Sequence, residues 1–98
     1  MADFMIFMHG DAPRAPDAAA WGPYFKRLRD LGVFDGGSAI GGGAVYRKGG
    51  TPAPLSNQLT GYIRVQAESL DQARGLIEGN PVFEAGGSVE IRELPRGA

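Results

Sequence analysis

The sequence predicts an α+β fold of ferredoxin-like type, a βαββαβ chain with both helices on one face of an antiparallel sheet. Three observations carry this reading. A continuous apolar run occurs at residues 4–9 and period-two alternation at residues 59–67 and 88–94, helical three-and-four spacing occurs at residues 17–31 and 69–79, and strands and helices alternate in the required order. The 98 residues are about the commonest size of one domain, so a single domain over 1–98 is expected.

Residues 4–9 form the first strand. Alternation places Phe4, Ile6 and Met8 on one face and Met5, Phe7 and His9 on the other, so both faces carry apolar groups and the strand belongs in the middle of the sheet. Pro16 and Asp17 then open a helix whose apolar positions are Ala18, Trp21, Phe25, Leu28 and Leu31. Lys26, Arg27, Arg29 and Asp30 fill its polar arc, and Gly32 is placed to end it in a left-handed conformation. Pro23 inside this stretch predicts a kink or restart, because proline in a regular helix interior costs about 3 kcal/mol.

Residues 33–58 hold seven of the sixteen glycines, which makes this the most glycine-rich segment of the chain. Residues 38–40 and 44–47 read as two short strands of an irregular edge hairpin, and residues 51–58 as a loop. Residues 59–67 alternate cleanly, with Leu59, Gly61, Ile63, Val65 and Ala67 opposite Thr60, Tyr62, Arg64 and Gln66. Ser69-Leu70-Asp71-Gln72 has the form of a capping box and begins a second helix ending near Gly79. After Asn80-Pro81, a turn leads through Gly86-Gly87 into the last strand, where Val89 and Ile91 oppose Ser88, Glu90 and Arg92.

Placing Ile63, Val65, Val89 and Ile91 under the helices leaves Tyr62, Arg64, Gln66, Glu90 and Arg92 on the open face beside one apolar side of the first strand. Such a surface is too apolar to be simply solvated and too charged to be a sealed core, so a homodimer enclosing a cavity is expected. Ten basic and eleven acidic residues nearly cancel and are scattered, leaving no footprint for nucleic acid. No apolar run approaches the roughly 20 residues of a membrane span. The absence of cysteine removes disulfides and thiolate metal sites, and no cofactor or metal is expected. The N-terminus carries Asp3 and no basic segment of a signal peptide, so a cytoplasmic address is expected.

Four segments resemble the YCII-related family: Met5-Ile6-Phe7-Met8-His9-Gly10-Asp11, Leu59-Thr60-Gly61-Tyr62, Glu68-Ser69-Leu70-Asp71-Gln72-Ala73 and Gly86-Gly87-Ser88-Val89-Glu90-Ile91-Arg92. They fall in the right order between Phe4 and Leu94. The resemblance implies a ferredoxin-like dimeric α/β barrel, in a family most of whose members have no assigned function. Some members pair a histidine on the first helix with an aspartate in a turn after the second. The corresponding positions here are Tyr24 and Asn80, which cannot supply that acid–base chemistry at neutral pH, since a tyrosine titrates near 10 and an amide does not titrate. Another branch carries Asp-Gly-Pro-Phe before the third strand, where this chain has Thr51-Pro52-Ala53-Pro54-Leu55.

His9 is the only histidine, and continued alternation directs it to the same side as Asp11, giving a general base oriented by a carboxylate. A hydrogen-bonded structural histidine is the competing reading. Arg64 and Arg92, with Glu90 and Tyr62, are the ligand-binding candidates: two guanidiniums converge beside an aromatic ring, which suits a small anion, while cross-strand ion pairing explains the same charges without a ligand. Gly41-Gly42-Gly43 lacks the Lys-Ser/Thr ending of a phosphate loop and reads as a mobile loop, and Trp21 as packing. Two functions follow. The first is a small-molecule-binding protein taking a small anionic ligand in the cavity of the dimer, and the alternative is a cofactor-free lyase or isomerase with His9 as general base.

Overall fold

The computed structural model describes residues 1–56 and 58–96; Asn57, in the expected 51–58 loop, and the last two residues lie outside the described part. Strand β1 (Ala2–His9) is followed by a 3-10 turn at Ala18–Ala20, helix α1 (Trp21–Asp30), strand β2 (Phe34–Ala39), strand β3 (Leu59–Ala67), helices α2 (Leu70–Gly75) and α3 (Pro81–Glu84), and strand β4 (Val89–Leu94). The sheet order is β2-β3-β1-β4 with every pair antiparallel, which is the ferredoxin-like arrangement, and β1 holds the central position that its two apolar faces require.

Pro23 is accommodated by a restart of the helix. The Asp17 carboxylate accepts from the Ala19 N–H at 3.0 Å and caps the 3-10 turn, and the α-helix restarts at Trp21. This puts Pro23 in the first turn, where backbone N–H groups have no intrahelical partner to lose. Gly32 ends the helix at φ +70°, as its position predicts.

The expected edge hairpin is replaced by one strand, β2, which begins at Phe34 and ends at Ala39. Residues 44–47 are not a strand; no partner backbone lies beside them, and glycines 41, 42 and 43 look into open space. Gly37 fixes β2 in place, because a Cβ there would stand 2.5 Å from the Tyr62 carbonyl oxygen, so only glycine lets β2 approach β3 this closely. The second helix is shorter than its periodicity predicts. Ser69 caps α2 by accepting from the Gln72 N–H at 3.1 Å, and the Gln72 side chain accepts from Glu68 N–H, but the helix stops at Gly75. Gly79, at φ +84°, then turns the chain, and Asn80 Oδ1 caps the unforeseen α3 by accepting from Val82 N–H at 3.0 Å and Phe83 N–H at 3.2 Å.

The core is one layer between helices and sheet. Phe4, Ile6 and Met8 of β1 and Ile63, Val65 and Ala67 of β3 meet Tyr24 and Leu28 of α1, Ala73 of α2, Leu76 and Val82. The opposite face has no second layer, and the molecule measures 47 × 41 × 20 Å. Its radius of gyration is 14.8 Å, against about 12.6 Å for a compact chain of this length. Among the described residues, no helix is long and apolar enough to cross a membrane.

Candidate functional site

The register of the sheet decides which side chains meet on the open face. Phe7 of β1 lies between Tyr62 of β3 and Glu90 of β4, and Met5 lies between Arg64 and Arg92. Arg64 and Arg92 therefore do not converge: they stand on opposite sides of β1, about 9.5 Å apart from strand to strand. Each has its own carboxylate instead, Asp35 at 3.5 Å from Arg64 and Glu90 at 3.1 Å from Arg92.

His9 also meets a carboxylate other than the one its sequence neighbourhood offers. Its Nε2 is 3.1 Å from Glu90 Oε1. An ionised carboxylate only accepts, so this nitrogen carries the hydrogen and neutral His9 keeps its lone pair on Nδ1. Hydrogen bonds from His9 and then from Arg92 hold the Glu90 carboxyl below its ordinary range. The reason Asp11 is not the partner is local: the β1–β3 register slips between Met8 and His9, the strand ends, and Asp11 turns toward the 86–88 turn. There its two oxygens accept from Ser88 N–H at 2.7 Å and Ser88 Oγ–H at 2.6 Å, bonds that lower its pKa. Pro54, Leu55 and Ser56 of the long loop lean over Phe7, His9 and Glu90 and bound a depression of about 510 Å³.

A larger cavity, about 860 Å³, lies on the helix side of the sheet at the same strand ends. Its walls are Trp21 and Phe25 of α1, Phe34 of β2, Met8 and Ile63 in the floor, and a strap formed by residues 12–16. Trp21 stacks on Phe25 with ring centres 5.4 Å apart, and Phe25 meets Phe34 at 5.4 Å. The Arg29 guanidinium lies over Phe34 at 5.1 Å and Phe25 at 6.0 Å. Asp11 anchors one end of the strap and Arg14, donating to the Glu84 carbonyl at 2.7 Å, the other. His9 and Tyr62 border this cavity too, and His9 also borders the smaller one.

Of the residues singled out in the sequence, His9, Glu90 and Tyr62 border one of the two spaces, whereas the strap, Arg14, Arg29 and the role of Trp21 as a wall are not among the sequence expectations. Tyr24 and Asn80 are structural. The Tyr24 hydroxyl donates to the Leu76 carbonyl at 2.8 Å, and burial pushes its pKa up, with Asn80 and Arg27 pulling the other way. Asn80 is fully buried as the cap of α3, and its Nδ2 has no hydrogen-bond partner among the described residues. Neither residue lines the larger cavity; Tyr24 backs it from behind, its ring meeting Trp21 at 6.3 Å and Phe25 at 5.9 Å. Among the described residues, no cluster of side chains has the makeup of a metal site.

Asp11 gives a testable pH dependence. Its folded pKa lies below the ordinary 3.8, so its two bonds contribute stability above that value and lose it as the pH falls through the folded pKa. Asp11→Ala is therefore expected to lower the urea midpoint at pH 7, with the gap to the unmodified protein closing as the pH is taken below about 3.8. A gap of constant size across that range would show that the carboxylate does not hold the strap.

No family model and no curated protein matches the chain. Among solved structures, the chain is similar to 5-chloro-2-hydroxyhydroquinone dehydrochlorinase (TftG) from Burkholderia phenoliruptrix AC1100, solved in complex with 2,5-dihydroxybenzoquinone. The TM-score is 0.58 at 18% identity, over 97% of this chain and 95% of that one. At this identity the likeness establishes the fold.

Proposed function

We propose that the protein is a homodimer that binds a small anionic molecule at the His9 end of the sheet. The observation that carries the binding reading is the cavity of about 860 Å³, a size in the range of small-molecule sites, with apolar walls and arginines at its edge that have no carboxylate partner among the described residues. Arg64, Arg92 and Arg96 are each neutralised by an acid, whereas Arg14 and Arg29 are not, so an anion entering here gains charge attraction that is already satisfied elsewhere. The similar dehydrochlorinase holds a small molecule, which agrees with this use of the fold.

The dimer reading rests on surface. The chain exposes 6478 Å², about a fifth more than the roughly 5,400 Å² usual for a folded monomer of 10.3 kDa. The excess is comparable with the roughly 800 Å² that each partner buries in a standard interface. The open face, with Met5, Phe7 and Tyr62 half-buried among charged groups, is the surface best suited to be covered.

A screen of small acids by thermal denaturation, combined with light scattering, tests both statements. A bound acid at 100 times its dissociation constant should add about 2.7 kcal/mol to the stability, a readily visible shift in melting temperature. The binding reading fails if no acid of any shape shifts the melt, and the dimer fails on a monomeric mass at micromolar concentration.

A second reading is favoured by the His9–Glu90 pair. A neutral imidazole held by a carboxylate through Nε2 keeps Nδ1 free to take a proton, which is the arrangement of a general base in a cofactor-free lyase or isomerase. In that reading the substrate lies on the open face, with Tyr62, Arg64 and Arg92 around it and Asp11 supporting the loop behind His9. His9→Ala would then abolish turnover while sparing binding, and a pure binding protein would show no turnover to lose.

A further inference from the structure

Resting on the binding reading above, we infer that the cavity between α1 and the sheet takes a planar aromatic monocarboxylate, its ring against the Trp21–Phe25–Phe34 wall and its carboxylate on Arg29. The wall argues for a flat aromatic body. Three rings follow one another at centre distances of 5.4 Å, and Trp21 and Phe25 are only 23° from parallel, so together they offer an extended aromatic surface to a fourth ring. Met8, Ile63 and Val82 supply the apolar remainder, and a volume of about 860 Å³ leaves room for more than one ring.

Charge argues for one anionic group and fixes its place. Of the two arginines at this cavity, Arg14 already donates to the Glu84 carbonyl and holds the strap. The Arg29 guanidinium makes no hydrogen bond or ion pair with any described residue and lies over the rings of Phe25 and Phe34. That stacking orients a planar guanidinium whose edge donors stay unused, which is the geometry that a carboxylate meets with two parallel hydrogen bonds. A dianion would find a second uncommitted cation missing. A purely aliphatic acid would reach Arg29 but leave the aromatic wall without a matching surface.

Trp21 is the only tryptophan of the chain, so its fluorescence lifetime reports on this cavity alone. The probes are 4-nitrobenzoate, whose nitroaromatic ring quenches tryptophan on contact, 4-nitrobenzyl alcohol, which keeps the ring and lacks the charge, and cyclohexanecarboxylate, which keeps the charge and lacks the ring. Saturable shortening of the Trp21 lifetime by 4-nitrobenzoate is expected, together with a raised melting temperature. The alcohol should bind about tenfold or more weakly, the scale set by a charge-assisted hydrogen bond. Arg29→Gln should bring 4-nitrobenzoate to the level of the alcohol, whereas Arg74→Gln, the same charge removed from an exposed position on α2, should leave it unchanged. Both arginines are exposed, and circular dichroism checks that both variants fold.

Equal affinity for acid and alcohol, or an Arg29→Gln variant that binds 4-nitrobenzoate as before, would overturn the assignment of Arg29. Cyclohexanecarboxylate binding as tightly as 4-nitrobenzoate would overturn the aromatic class. An acid that raises the melting temperature without changing the Trp21 lifetime would place the ligand elsewhere, overturning this inference while the binding reading stands. Failure of every acid in the wider thermal screen is the separate result that removes the binding reading.

Discussion

Leu28→Ala should lower the unfolding free energy by about 2–5 kcal/mol, the range for emptying a fully buried leucine site. Leu28 is 0% exposed and lies in the last full turn of α1, inside the cluster formed by Phe4, Ile6, Ile63 and Val65. The sheet has helices on one face only, so no second core exists to compensate. Against a net stability of about 5–15 kcal/mol for a domain, this single truncation removes a large fraction. Urea denaturation followed by far-ultraviolet circular dichroism measures it. A loss below about 1 kcal/mol would mean that α1 is not packed as described, since even deletion of one methyl group from a tight core costs about that much.

Gly37→Val should be nearly as damaging for a different reason. A Cβ at residue 37 would lie 2.5 Å from the Tyr62 carbonyl oxygen and 3.2 Å from the Ile63 Cα, both backbone atoms that cannot swing aside. The side chain fits only if β2 moves off β3, with an expected cost of about 1–3 kcal/mol or more for overpacking. Gly37 also lines the larger cavity, so ligand binding should fall with stability. Gly42→Val is the comparison, because nothing lies within 4 Å of a Cβ built there. Equal melting temperatures for the two variants would show that β2 does not hold its place through Gly37.

The elements that sequence alone revealed are those in which side-chain alternation is matched by burial. Along β3, Gly61, Ile63, Val65 and Ala67 are buried while Tyr62, Arg64 and Gln66 are half-exposed, so pattern and structure coincide. The helix over Trp21–Asp30 is legible through Trp21, Phe25 and Leu28 at helical spacing, although the same stripe counted Leu31, which is exposed, and passed over Tyr24, which is buried. Strand β2 is legible only at its end, where the expected strand over 38–40 overlaps it, because its first half is built on Gly36 and Gly37 and held by backbone approach, which leaves no periodicity to read. The division of the second helix is set by Gly79 at positive φ and by the Asn80 cap, local devices that the longer apolar stripe obscures.

At the site, the difference between Asp11 and Glu90 shows where one-dimensional reading ends. Asp11 is two residues from His9 and Glu90 is 81 away, yet Glu90 holds the imidazole. Only the β1–β4 register, which sets Phe7 beside Glu90, could have revealed it. Arg29 reads in the sequence as one more charge on the polar arc of a helix. Its lack of a carboxylate partner among the described residues is a property of the fold, as is the use of Trp21 as a wall and not as core filling.

The register slip between Met8 and His9 has one more consequence, because it leaves His9 bordering the helix-side cavity and the open-face depression at once. The sheet is otherwise a partition between them. Residue 9 is therefore a wall shared by both spaces, and any substitution there alters both at once.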